Sequence, residues 1–230
     1  MELVRRKIET SLKPRLRFKG FSGEWVLRKL GDITEKINSG KTPLGGQSVY
    51  QNEGIIFIRS QNVVDDQLVL AHCTFISEEI NQQMKNSIVE RNDILLNITG
   101  ASLGRSCVVP VDFKMGNVNQ HVCIIRLCQG YEAKFVQPIL SSQKGQNILI
   151  SLQTGSGREG LNFQSIRTIQ IALPPTHQEQ QKIASFLSAV DDKIRQLKRK
   201  KELLEQYKKG VMQQVFSGKL RFKDENGKEY

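Results

Sequence analysis

The chain has 230 residues, 38% hydrophobic and 25% charged, enough for one packed domain plus an extension. No apolar run approaches the roughly 20 residues of a bilayer span, and the opening MELVRRKIETSLKPRLRF lacks the apolar centre of a signal peptide, so a cytoplasmic protein without a membrane anchor is expected. The net charge of +11 is uneven: residues 1–28 hold eight basic and three acidic side chains, residues 182–209 nine and four, and residues 29–181 thirteen of each. A basic chain suggests an acidic partner such as nucleic acid, although a neutral body must then present a local basic face.

Taken in order, residues 1–20 read as a helical or irregular arm. GFSGEWVLRKLGDI (Gly20 to Ile33) opens a body with Trp25 as the expected packing anchor. From Ile55 to Leu173, IIFIRS, DILLNITG, CVVP, VCIIRL and IQIAL are β-branched runs of strand length separated by turn signals. Between them, Ser77 to Asn86 and Glu132 to Leu152 are helix-like, so the expected fold class is α+β, with one mixed α/β domain over residues 21–173. Cys73, Cys107, Cys123 and Cys128 lack CxxC spacing, which argues against a zinc ribbon or redox motif and predicts buried free thiols.

A long helix follows over residues 174–218. Thr176 is its expected N-cap behind Pro174 and Pro175, with Glu179 three residues on, as a capping box requires. Ile183, Leu187, Val190, Ile194, Leu197, Leu204, Val211 and Val215 recur at the 4–3 spacing of a coiled-coil seam, interrupted where Lys201 and Lys208 take core positions. About 40 residues at 1.5 Å each span roughly 60 Å. A body of this size cannot cover such a stripe, so part of it is expected to pack on a helix from a second copy or another protein. In the tail, residues 219–230, KLRFK (Lys219 to Lys223) repeats RLRFK (Arg15 to Lys19), as if such units could be joined head to tail.

These segments together resemble one half of the specificity subunit of type I restriction-modification systems. The resemblance rests on GEWVLRKLGDI, SGKTP (Ser39 to Pro43), IIFIRSQNV (Ile55 to Val63), DILLNITGASLGR (Asp93 to Arg105), NVNQ (Asn117 to Gln120) and LPPTHQEQQKIASFLSAVDDKI (Leu173 to Ile194), which cover nearly the whole chain from Pro14. It implies that residues 21–173 are a target recognition domain for double-stranded DNA, that the helix is a spacer, and that chemistry belongs to partners. Those partners would be methyltransferase subunits and, through them, the restriction subunit. The family usually carries two recognition domains and two antiparallel helices, whereas one of each is present here. Two copies pairing through their helices as a homodimer would rebuild that arrangement and read a symmetric split site.

Reading bases needs donors and acceptors at groove edges, and phosphates need basic side chains, hydroxyls and loop N–H groups. The polar turns supply Ser39, Lys41 and Thr42; Arg59, Ser60, Gln61 and Asn62; Thr99, Ser102 and Arg105; Asn119 and Gln120; and Arg158 in TGSGREG. Any single one of these could equally be a turn or strand-end contact. Among rival readings, SGKT has Glu35 where a P-loop needs its first glycine, and Pro43 follows at once. A metal-dependent nuclease would need Asp112, Glu132 and Lys134 to converge. His72, His121 and His177 are scattered, and His121 with Cys123 is too few for a metal site, so no metal or cofactor is expected. A coiled-coil interaction module that reads no DNA is the remaining alternative.

Overall fold

In this computed structural model, which describes residues 12–153, 160–223 and 225–228, most of the apolar runs pair into two four-stranded sheets, while Gln170–Leu173 pairs with Val26–Lys29 in a two-stranded one. The chain divides into two units, Met1–Ala184 and Ser185–Tyr230. In the first unit the strands are β1 (Val26–Lys29), β2 (Thr34–Ser39), β3 (Ile55–Ile58), β4 (Val63–Val64), β5 (Gln67–Leu68), β6 (Thr74–Ile76), β7 (Ile88–Val89), β8 (Ile94–Asn97), β9 (Ser106–Val108), β10 (Gly116–Val118), β11 (Val122–Leu127) and β12 (Gln170–Leu173). Helices α1 (Glu78–Gln83), α2 (Ala133–Ser141), α3 (Gln143–Ser151) and α4 (Phe163–Thr168) lie between them, and α5 (His177–Phe216) follows.

One sheet has the order β2-β11-β8-β9, all antiparallel, and the other β6-β3-β10-β7, with β3 and β10 parallel. The first is buried on both faces. Ile94, Leu96, Cys123 and Ile125 face a core shared with α2, α3, α4 and Ala184 of α5, while Leu95, Val122 and Ile124 face a second core with Ile58, Val89 and Val118. This is why DILLNI and VCIIRL are continuous apolar runs rather than alternating ones. Each such side chain, withdrawn fully from water, contributes roughly 1.5–3 kcal/mol.

Local details follow from side-chain chemistry. The β4–β5 hairpin turns through Asp65 and Asp66, both at positive φ (49° and 60°), as a two-residue turn demands and aspartate tolerates. The stretch expected as one helix from Glu132 to Leu152 is two, because Ser142 is extended and its Oγ accepts from Gly145 N (3.1 Å) to start α3. Trp25 does pack on the first core, edge-on to Phe135 with centroids 5.7 Å apart. Cys107 and Cys123 are buried and their thiols are pushed up to about 12 by burial, whereas Cys73 and Cys128 are only half-buried.

The start of α5 shows where the capping box departs from expectation. Glu179 N donates to Thr176 Oγ1 (3.3 Å), but the Glu179 carboxylate accepts from Arg17 Nε (2.8 Å), Arg17 Nη2 (2.7 Å) and Trp25 Nε1 (3.3 Å). Lys182 Nζ lies 5.6 Å above the Phe18 ring. The first RLRFK copy thus fastens the N-terminal arm to the root of the helix, while Phe222 of the second copy is exposed.

In the second unit, the rest of α5 carries an uncovered apolar stripe. Val190, Ile194, Leu197 and Leu204 are 40–55% exposed, and Phe186, four residues before Val190, adds to the same face at 54%. Among the described residues no helix is long and apolar enough to cross a membrane.

Candidate nucleic-acid interface

The polar turns singled out from the sequence meet at one end of the two sheets. Beyond β2, Gly40 N donates to the Asn119 carbonyl (3.2 Å), and Asn119 N to the Ile58 carbonyl at the end of β3 (3.0 Å). Beyond β8, Asn97 Nδ2 donates to the Ser60 carbonyl (2.9 Å) and to Ser102 Oγ (3.1 Å). Ile98 N donates to the His121 carbonyl (3.0 Å), and Thr99 forms a bridge with Gly160. Loops separated by up to 80 positions, from Gly40 to Gln120, therefore form one surface.

Within it, Lys41, Thr42, Gln61, Arg105 and Gln120 are exposed, and Ser39, Arg59, Ser60, Thr99 and Ser102 half-buried. Asn62 and Asn119 are buried, their side chains spent on the loops: Asn62 Oδ1 accepts from Arg59 N (2.9 Å) and its Nδ2 donates to the Val69 carbonyl (2.9 Å), while Asn119 Oδ1 accepts from His121 N (3.0 Å). Arg59 Nη2 donates to Thr74 Oγ1 (2.6 Å). Lys41 and Arg105 enter no ion pair among the described residues, so their charges face solvent. Arg158 lies outside the described residues.

One residue was missed. His121, weighed in the sequence only as a metal ligand beside Cys123, has Nδ1 2.6 Å from Thr99 Oγ1 and Nε2 3.1 Å from Gln120 Nε2. Its position in the turn NVNQH between β10 and β11 was the available signal. Of the nuclease set, Asp112 is exposed between β9 and β10, and Glu132 is occupied in capping α2, accepting from Lys134 N (3.3 Å). Among the described residues no group of three or more His, Cys, Asp or Glu side chains could hold a metal ion.

The surface depends on close backbone approach at Gly40. A Cβ there would lie 1.6 Å from the Val118 carbonyl oxygen, which belongs to β10 and cannot move aside. Gly40→Ala is expected to displace the Lys41–Thr42 turn and cost about 1–3 kcal/mol or more, measured as a lower unfolding midpoint. Wild-type stability in this variant would mean that the loop is not held against β10.

The sequence profile of the type I restriction modification DNA specificity domain matches residues 22–206. The chain belongs to that family. Relatives of this specificity domain include the type I restriction enzyme EcoBI specificity subunit of Escherichia coli, 27% identical over 174 residues, covering 73% of this chain and 36% of that protein. The MjaVIII specificity subunit of Methanocaldococcus jannaschii is 22% identical over 211 residues, covering 88% and 48%. The crystal structure of the type I system S subunit from M. genitalium superposes with a TM-score of 0.60 at 17% identity, over 89% of this chain and 48% of that one. The HsdS subunit from Thermoanaerobacter tengcongensis gives 0.52 at 17%, over 85% and 45%. These structures share the fold of this specificity domain, which spans half the length of its relatives or less.

Proposed function

We propose that this chain is a non-catalytic DNA-reading unit of a type I restriction-modification system, acting in the cytoplasm without a cofactor. The loop surface lies on duplex DNA and reads one half of a split site. The stripe on α5 pairs with the same stripe of a second copy, so that a homodimer presents two identical half-sites in inverted orientation. Methyltransferase subunits, and through them the restriction subunit, take their address from this dimer.

The observation that carries the reading is the convergence of Lys41, Thr42, Gln61, Arg105 and Gln120, from four separate loops, on one exposed surface. These residue types suit phosphates and base edges, with Lys41 and Arg105 as exposed positive charges. The 40 residues of α5 run for about 60 Å, equivalent to around 18 base pairs at 3.4 Å each. That supports half-sites more than one helical turn apart.

The test is the salt dependence of DNA binding by the purified chain. Affinity is expected to fall steeply with salt, by about 0.9 log units per log unit of salt for each phosphate neutralised. A flat dependence would leave the exposed stripe on α5 as the chain's binding surface and remove the DNA-reading role.

A further inference from the structure

We infer that Gln120 is an adenine-reading residue of this surface, held in reading position by Thr42, His121 and Thr99; the inference rests on the DNA-reading role proposed above. The Gln120 side chain is exposed, yet it is not free. Its Oε1 accepts from the Thr42 hydroxyl (2.5 Å), and its Nε2 stands 3.1 Å from His121 Nε2. His121 is fixed in turn by Thr99 Oγ1 at its Nδ1 (2.6 Å) and by Asn119 Oδ1 at its backbone N–H (3.0 Å). Thr99 is anchored to the neighbouring segment by its bridge to Gly160.

A primary amide has two N–H donors and two acceptor lone pairs. Here one donor and one acceptor are used inside the protein, which leaves one of each unused on an exposed side chain. Turning the amide over exchanges the roles of Thr42 and His121 but leaves the same remainder. One donor beside one acceptor in a plane is the pattern that pairs with adenine in the major groove, taking its N6–H and giving to its N7. A flexible surface glutamine would have to lose its rotamer freedom on binding, whereas two side-chain contacts already hold this one. Gln61 is exposed in the same surface, but no contact fixes its amide among the described residues. Lys41, beside Thr42 and without an ion pair among the described residues, has the chemistry of a phosphate contact.

The test is selection of bound duplexes from a randomised pool by the full chain, followed by affinity measurements on the selected site and its single-base variants. Wild type is expected to select adenine at one position of each half-site and to reject other bases there by about 5- to 150-fold. Gln120→Ala should lose discrimination at that position alone. Gln120→Arg should move the preference towards guanine. Thr42→Val should weaken discrimination at the same position, with Thr42→Ser retaining it, which a purely structural role for the hydroxyl in folding would not produce. Lys41→Ala should lower affinity for all sequences equally. These side chains are exposed, and unchanged melting curves confirm that each variant folds. An unchanged selected sequence in Gln120→Ala, or a change spread over several positions, overturns the assignment of Gln120 while leaving the DNA-reading role intact. If wild type selects no sequence at all, the DNA-reading role itself fails, and the adenine assignment with it.

Discussion

Replacing Asp93 by alanine is expected to lower the stability of the body by about 3 kcal/mol, or roughly 6–12 °C in unfolding midpoint. Asp93 precedes β8 and Arg126 lies on β11, at the opposite end of these strands from the loop surface. Their side chains are 1% and 15% exposed. Arg126 Nε and Nη2 each donate to the carboxylate at 2.8 Å, and Glu90 N donates to it at 2.7 Å. Truncation would strand a guanidinium in a mostly dry site, which costs 3–5 kcal/mol when nothing else receives it. The low end applies because Arg126 keeps Glu90 and the Ile88 carbonyl. Removing both charges, in Asp93→Ala with Arg126→Met, should recover most of the loss, since no charge is then left buried. Equal losses in the single and double variants would refute the pairing.

The pH dependence of the same variant carries a sign that can be checked. Burial pushes the Asp93 carboxyl above its ordinary value of 3.8, outweighing the pull of Arg126. A carboxyl raised in the folded state binds more protons there than in the unfolded chain. Its contribution to stability is therefore full below 3.8 and falls as pH rises through the raised value. The gap between wild type and Asp93→Ala should widen as pH is lowered towards that range. A gap that closes in acid would show that Arg126 dominates.

Ile194→Asp combined with Leu197→Asp is expected to halve the solution mass, from about 52 kDa for two copies of a 26.1 kDa chain to that of one. Both residues are about half exposed, 45% and 54%, on a stripe that continues through Leu204. A paired seam would bury them as knobs against a facing helix, and two carboxylates in each helix would then repel across it. The body's core clusters do not include either residue, so its unfolding midpoint should hardly move. Binding to a two-half-site duplex should fall to the level of a single half-site, because the gain from tethering two readers is lost. A mass that stays unchanged after both substitutions would rule out this seam as the joint between copies.

Much of the scaffold was legible because burial leaves a direct mark on sequence. DILLNITG and VCIIRL are apolar on consecutive positions, and both became strands buried on two faces. Thr176 announced the start of α5 through a local bond. Contacts between distant segments were not legible. Glu179 had the spacing of a capping-box partner, but its carboxylate went to Arg17 and Trp25, more than 150 positions away. In the candidate site, residue type and turn position picked out loops that the fold brings to one surface. They could not tell which polar side chains turn inward, as Asn62 and Asn119 do, or that His121 would stand between Thr99 and Gln120. Those facts depend on the order β2-β11-β8-β9 and on the parallel meeting of β3 with β10, which no local pattern encodes.

The ties among the four loops run largely through main-chain atoms: Gly40 to Asn119, Asn119 to Ile58, Ile98 to His121, and Leu161 to Ile98. Such bonds are indifferent to side-chain identity, apart from the space that Gly40 must leave open. Turnover at positions 41, 42, 61, 105 and 120 therefore leaves the frame standing. On the DNA-reading role proposed above, a lineage under pressure to exchange one target word for another would have a route in single steps, each rewriting a letter while the protein keeps folding.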